Sequence, residues 1–146
     1  MKNVITSINA WLSDNLPDVD LRFGKGEASQ FPSVVVSIGE ANETGSRRCS
    51  ESPLLKIAVE CVCIADGRDA GTARGLAMRI LELVTGDSDR ASQIPRFEWD
   101  YEAAPPAPVR EVGRMAITGV FYAEDFDAKM PEIRRARVAF TVRARM

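Results

Sequence analysis

The sequence of 146 residues contains no histidine. Histidine is the commonest general base, a common metal ligand and the usual partner of a nucleophilic serine or cysteine. Its absence excludes Ser-His-Asp and Cys-His nucleophiles as well as histidine-ligated metal centres. Carboxylates and lysines remain as groups that could carry a reaction. We therefore expect a protein that is not an enzyme and that requires no metal or cofactor.

Long apolar runs are also missing. No stretch approaches the roughly 18 consecutive apolar residues that a membrane helix requires. The N-terminal residues 1–19 lack the continuous apolar segment of a secretion signal. We expect no export and no membrane partner.

Cysteine is scarce, with three residues at Cys49, Cys61 and Cys63. An odd number of cysteines without a secretion signal is typical of a reducing compartment. Cys61 and Cys63 are two positions apart on one predicted strand, so they share a face, where a disulfide between them is geometrically poor. We expect both to be small, buried, free thiols.

The composition is that of an ordinary globular chain, with 45% hydrophobic and 27% charged residues. A chain of this length is expected to form one domain over residues 1–146. The net charge of −2 gives no electrostatic reason to expect nucleic acid as the main partner.

Residues 54–84 are predicted to form a central strand followed by a helix. The segment LLKIAVECVCIA (54–65) alternates an apolar face with a mixed face, as expected for a central strand. A polar turn follows, in which Asp69 is placed to cap a helix. Apolar residues then recur at helical spacing from Ala73 to Val84, and Gly86 is placed to end that helix.

The preceding segments predict one helix and two strands. Residues 3–16 have an amphipathic pattern that Pro17 ends. Strands are expected over 19–24 and 31–38, joined as a hairpin by an open loop. Residues 39–53 are polar and aperiodic, which indicates a loop that is either functional or a simple hairpin tip.

The C-terminal half predicts three more strands. Residues 96–103 alternate aromatic and acidic side chains, and residues 104–109 (APPAPV) are expected to be irregular. Residues 112–124 and 137–145 have strand alternation on either side of a charged excursion. The resulting fold class is α+β, with two helices packed together on one face of a mostly antiparallel (mixed) sheet of about six strands. The opposite face would then expose apolar residues, which argues for a partner; its members are Val62, Ile64, Val120 and Tyr122.

Charge is distributed unevenly along the chain. The acidic strand carries Glu98, Asp100 and Glu102, and the C-terminus carries Arg134, Arg135, Arg137, Arg143 and Arg145. Two interpretations remain open. Copies of the chain could pair head to tail through these patches, or the charges could pair across strands of one sheet.

The order of these segments resembles the tail-terminator (tail-completion) proteins of Mu-like tailed phages and prophages. The resemblance covers nearly the whole chain, in the segments INAWLSDNLP, FPSVVVSI, LLKIAVECVCIA, ARGLAMRILELV, ITGVFYAEDF and ARVAFTVRAR. It implies a homo-hexameric ring that caps the tail tube, stops its polymerisation and offers a surface to the head. The implied partners are other copies of the chain, the tail-tube protein and a head-completion or connector protein. The implied location is the head-proximal end of the virion tail, with assembly in the bacterial host cytoplasm.

The charge pattern adds candidate interface residues to this expectation. They are the acidic and basic residues named above, together with Arg47 and Arg48 of the polar loop. Incidental contact between the basic C-terminus and DNA in the lumen of the ring is a further expectation.

Three other functions remain open from the sequence. The chain could be a different phage neck or assembly module without catalysis. It could be an enzyme that uses Glu60, Asp66 and Asp69, although a turn and a helix cap account for the two aspartates. It could bind nucleic acid through its basic C-terminus, although a pI near 5.3 argues against this.

Overall fold

The computed structural model describes residues 2–24, 32–39, 42–44, 54–66, 70–85, 94–125 and 133–145. Within these ranges the chain forms two helices and seven strands. In chain order they are α1 (Lys2–Asn15), β1 (Leu21–Phe23), β2 (Ser33–Ile38), β3 (Asn42–Thr44), β4 (Leu54–Asp66), α2 (Ala70–Thr85), β5 (Ile94–Asp100), β6 (Ala107–Asp125) and β7 (Ile133–Arg145). The predicted caps Asp69 and Gly86 lie outside the described residues.

Strand β4 occupies the middle of the sheet, as its apolar pattern predicts. It pairs antiparallel with β2 on one side and with β7 on the other, and the short β3 also pairs with its first residues. Alternate residues from Leu55 to Cys63 are buried, whereas Lys56 and Glu60 between them are half-buried and Ala58 is exposed. The predicted division into a covered and a partly covered face is confirmed.

The sheet follows the order β1-β2-β4-β7-β6-β5, with β3 beside β4 off this path. It curves into a mixed half-barrel. The class α+β stands, but the expected packing of the two helices together on one face of a layered sheet is wrong. Helix α1 lies against β5 at one edge of the sheet, and α2 lies across β4 and β7 in its middle. The curvature brings both helices to one hydrophobic cluster from different positions along the sheet.

Each helix contributes the apolar stripe that its sequence predicts. Helix α1 buries Val4, Ile8 and Leu12. The buried residues of α2 are Ala73, Ala77, Ile80 and Val84. Burying a large side chain such as Ile80 contributes roughly 1.5–3 kcal/mol before ordering entropy is subtracted.

Two exposed ion pairs join α2 to other parts of the chain. The Arg79 guanidinium donates to Asp18 at 2.7 and 2.9 Å, and Arg74 donates to Glu124 of β6 at 2.6 and 3.2 Å. The Tyr122 hydroxyl donates to the same Glu124 at 2.8 Å. These donors, Arg74 foremost, lower the pKa of Glu124 to about 2.

The predicted hairpin between the first two strands is wrong. β1 runs parallel to β2, with Leu21 opposite Val34 and Phe23 opposite Val36. A parallel pair needs a connection long enough to return to the starting end. β1 has three residues and spans only about 10 Å, so the nine residues between the strands suffice for that return.

Two segments expected to be irregular contain strand residues. β3 falls inside the predicted loop 39–53, and β6 begins at Ala107 within the predicted irregular stretch 104–109. Among the described strands, β5 is the one partner of β6 over its first half, because the pairing of β6 with β7 starts at Ala116. A strand with one neighbour tolerates Pro108 more readily than a central strand does, because the single hydrogen bond that its missing N–H cannot donate is less often required there.

Candidate interaction surface

The thiols are buried in the core, as predicted. Cys61 and Cys63 are free and fully buried, and burial raises the pKa of each thiol to about 12. Neither therefore forms a reactive thiolate near neutral pH.

The carboxylates considered for catalysis are not gathered into a site within the described part of the chain. Glu60 lies on the sheet surface, with Oε1 3.8 Å from Nε of Arg137. The side chain of Asp66 and all of Asp69 lie outside the described residues. Across the described ranges, no group of three or more carboxylates and cysteines is arranged to hold a metal ion.

The described elements leave the face of the sheet turned away from the helices largely uncovered, because its residues are half-buried or exposed. We call it the outer face and define it by the rows that run across β2, β4, β7 and β6. One row contains Ser37, Glu60, Ala139 and Phe121; the next contains Gly39, Ala58, Thr141 and Thr118. Six of these eight side chains are small (Glu60 and Phe121 are the exceptions), so another backbone could approach the sheet closely here.

An open depression of about 310 Å³ lies in this outer face. Its floor is built mainly from small residues on four strands. The lining residues are Ser37, Gly39, Ala58, Val59, Glu60, Gly119, Ala139, Phe140 and Thr141. The depression is shallow and lacks a cluster of converging polar groups, which suits a protein surface better than a small-molecule ligand.

A β-bulge in β6 sets which aromatic residue borders the depression. The register with β7 shifts between Thr118 and Phe121, and Gly119 adopts a φ of 64°. Glycine enters this left-handed region without a steric penalty. The extra residue reverses the alternation beyond it, so that the half-buried Val120 packs against the core and Phe121 is 59% exposed.

The prediction that Val120 and Tyr122 lie on the uncovered face is therefore wrong, because both pack against the core. Ile64 is also buried, at 9% exposure, and only Val62 is half-buried on the outer face as expected. Phe121 is the large apolar residue that sequence alternation missed.

Basic residues lie at both ends of the outer face. Lys56 and Arg143 are directly opposite each other on β4 and β7, and Arg137 and Arg135 occupy rows nearer the other end. Like charges in directly opposite positions destabilise a sheet. Within the described part of the chain neither Lys56 nor Arg143 has an acidic partner. We call this pair the basic end.

Strand β5 and the first half of β6 form a projecting hairpin, which we call the arm (residues 94–115). The arm has two register shifts, and the residues left without a cross-strand partner are Val109 and Val112. These valines are 62% and 40% exposed. Bulges at an edge hinder open-ended strand addition, so the arm presents its side chains more readily than its backbone.

The tip of the arm is acidic and held in place by α1. Asp100 and Glu102 have no basic ion-pair partner among the described residues, while Glu98 lower on the arm pairs with Arg110 at 2.7 Å. Between them, the Tyr101 hydroxyl donates to Asn3 at 2.9 Å, and the Lys2 ammonium lies 3.9 Å from the centre of the Tyr101 ring. These contacts with α1 hold the tip in place.

The structure places most of the predicted interface residues on these two surfaces and separates them by sign. Asp100 and Glu102 are at the tip, Glu98 is on the arm, and Arg135, Arg137 and Arg143 are on the outer face. The side chains of Arg134 and Arg145, and all of Arg47 and Arg48, lie outside the described residues. Sequence reasoning missed Lys56, which only the β4–β7 register places beside Arg143.

The chain matches no protein-family model and no curated protein sequence. Among the described residues, neither helix is long and apolar enough to cross a membrane.

Proposed function

We propose that this protein is a virion structural protein of a tailed phage or prophage, a tail terminator. Copies of the chain form a ring that caps the tail tube, stops its polymerisation and provides the surface to which the head joins. The partners are other copies of the chain, the tail-tube protein and a head-completion or connector protein. The ring is located at the head-proximal end of the tail and is assembled in the host cytoplasm.

The observation that carries the proposal is the separation of two oppositely charged surfaces on one chain, neither of which has an ion-pair partner among the described residues. The acidic tip contains Asp100 and Glu102, and the basic end contains Lys56 and Arg143. Two different surfaces that complement each other favour a heterologous contact, in which each copy binds the next. Such a contact closes into a ring when the rotation between copies allows it.

The element order supports the same proposal. The segments that carry the resemblance to tail terminators coincide with elements of the fold. These elements are α1, β2, β4 followed by α2, and the closing pair β6–β7. The buried thiols leave Cys61 and Cys63 no catalytic role, consistent with a structural protein.

The experiment is genetic and biochemical. A stop codon early in the gene, placed in the genome that encodes the chain, should yield tails of uncontrolled length that do not join heads in electron micrographs. Supplying the protein in trans should restore tails of uniform length. In vitro, the purified protein should arrest polymerisation of the tail-tube protein from the same genome. Normal virions from the stop-codon genome, or unaltered tube growth, would contradict the proposal.

A further inference from the structure

We propose that the ring contact is formed by the arm of one copy lying on the outer face of the next. The acidic tip, Asp100 and Glu102, then meets the basic end, Lys56 and Arg143. The occupant of the outer face is a second copy of this chain. This inference rests on the proposed function and names the surfaces through which the ring closes.

The two charged surfaces cannot neutralise each other within one chain. Ala116 of β6 lies beside Arg143, whereas Ala107, at the start of the same strand, lies opposite Asp100. Nine residues of strand separate these points, which corresponds to about 30 Å. That distance exceeds the Debye length of about 8 Å at physiological ionic strength, so the attraction becomes effective only between copies.

Binding of an acidic partner would relieve repulsion at the basic end. Lys56 and Arg143 face each other on adjacent strands with no carboxylate between them in the described part of the chain. Their mutual repulsion is relieved when two carboxylates dock against them. Asp100 and Glu102 supply that number, and α1 already holds the intervening Tyr101 in place. A fixed tip loses little conformational freedom on docking.

The apolar parts of the two surfaces fit the same contact. Val109 and Val112 are exposed on the arm, and Phe121 is exposed beside the depression of the outer face. The small residues in the floor of that depression allow a close approach. Apolar burial supplies affinity, and the charges set which end of the arm meets which end of the sheet.

Charge reversal tests the contact through self-association, measured by light scattering during size-exclusion chromatography. One variant carries Lys56→Glu and Arg143→Glu, and the other carries Asp100→Lys and Glu102→Lys. In each variant alone, the tip and the basic end carry charge of the same sign, so neighbouring copies repel each other. We expect at least a tenfold loss of self-association. Mixed in equal amounts, they present opposite signs at every contact, and assembly should return with the two variants alternating.

A matched control carries Asp14→Lys and Glu82→Lys. These exposed helix residues have no ion-pair partner among the described residues, and their reversal changes the net charge as much as reversal of the tip does. The control should assemble like the wild type. Circular dichroism of each variant establishes that it is folded.

The outcomes separate this inference from the proposed function. If both reversed variants assemble like the wild type, or if their mixture fails to assemble, the arm and outer face are not the contact, and ring formation by another surface stands. If the wild type remains a monomer at high concentration and low salt, self-association itself is wrong, and the proposed ring fails with it.

Discussion

Replacing Ser7 with alanine should destabilise the protein by removing two hydrogen bonds that join the arm to α1. The Ser7 hydroxyl oxygen accepts two hydrogen bonds, from the backbone N–H of Phe97 and from Nε1–H of Trp99, each at 3.0 Å. It also donates to the carbonyl of Asn3 at 2.7 Å, and the residue is only 2% exposed. A single buried oxygen thus joins the first helix to the edge strand.

The expected loss follows from the two donors that the substitution leaves without an acceptor. A buried donor without a partner costs about 1–3 kcal/mol, and both of these contacts are part-buried, so about 1 kcal/mol applies to each. The free energy of unfolding should fall by about 2 kcal/mol. With an m-value of about 2 kcal/mol/M, the urea midpoint should fall by about 1 M.

The assay is urea denaturation followed by circular dichroism and tryptophan fluorescence, at a concentration at which the chain is monomeric. Ser13→Ala, at an exposed position of the same helix, is the control and should change stability by less than about 0.5 kcal/mol. A Ser7→Ala midpoint that matches this control would show that the two hydrogen bonds contribute nothing to stability, which contradicts the prediction.

Three further predictions test the bulge at Gly119, the burial of the thiols and the hydrogen bonds of Glu124. Gly119→Ala should destabilise the protein by about 1 kcal/mol in thermal denaturation, because the φ of 64° is unfavourable for alanine. Gly75→Ala in α2, where an added Cβ meets no neighbour, should stabilise the protein by about 0.5–1 kcal/mol. Equal changes in melting temperature for the two variants would contradict the left-handed conformation of Gly119. Cys61 and Cys63 should react with a thiol reagent only after unfolding, and rapid native-state labelling of either would contradict their burial. Because the pKa of Glu124 is about 2 in the folded chain against an ordinary 4.5, its contribution is complete above pH 4.5 and is lost as the pH falls toward 2. The difference in free energy of unfolding between the wild type and Glu124→Gln should therefore shrink over that interval. A constant difference would contradict the hydrogen bonds from Arg74 and Tyr122 to Glu124.

The local elements could be predicted from the sequence because their signals are local. The alternation from Leu55 to Cys63 and the helical spacing from Ala73 to Val84 each depend on burying one face, and the structure buries both. Helix α1 extends over Lys2–Asn15, within a residue of its predicted bounds at each end.

The errors arose where pairing between distant segments decides the outcome. The parallel alignment of β1 depends on the path of its connection, which the alternation in residues 19–24 does not contain. The bulge at Gly119 changes the chain by one residue and moves Phe121 from the predicted core face to solvent. The curvature of the sheet results from all strands together and has no local signal, so the sequence does not show that α1 packs against β5 while α2 packs against β4 and β7.

The candidate surface was predicted in part. The opposite signs of the C-terminal arginines and of Asp100 and Glu102 were evident from the sequence. Whether those charges pair within one sheet or lie apart could be decided only by the register. Glu98 and Arg110 do pair across strands, while Lys56 lies opposite Arg143.

The most direct test of the account is the mass of the purified protein in solution, measured by light scattering across a range of concentrations and salt. The proposed ring predicts a hexamer of 16.0 kDa chains whose association weakens as salt screens the charged part of the contact. A mass of 16.0 kDa at the highest concentration and lowest salt would contradict it.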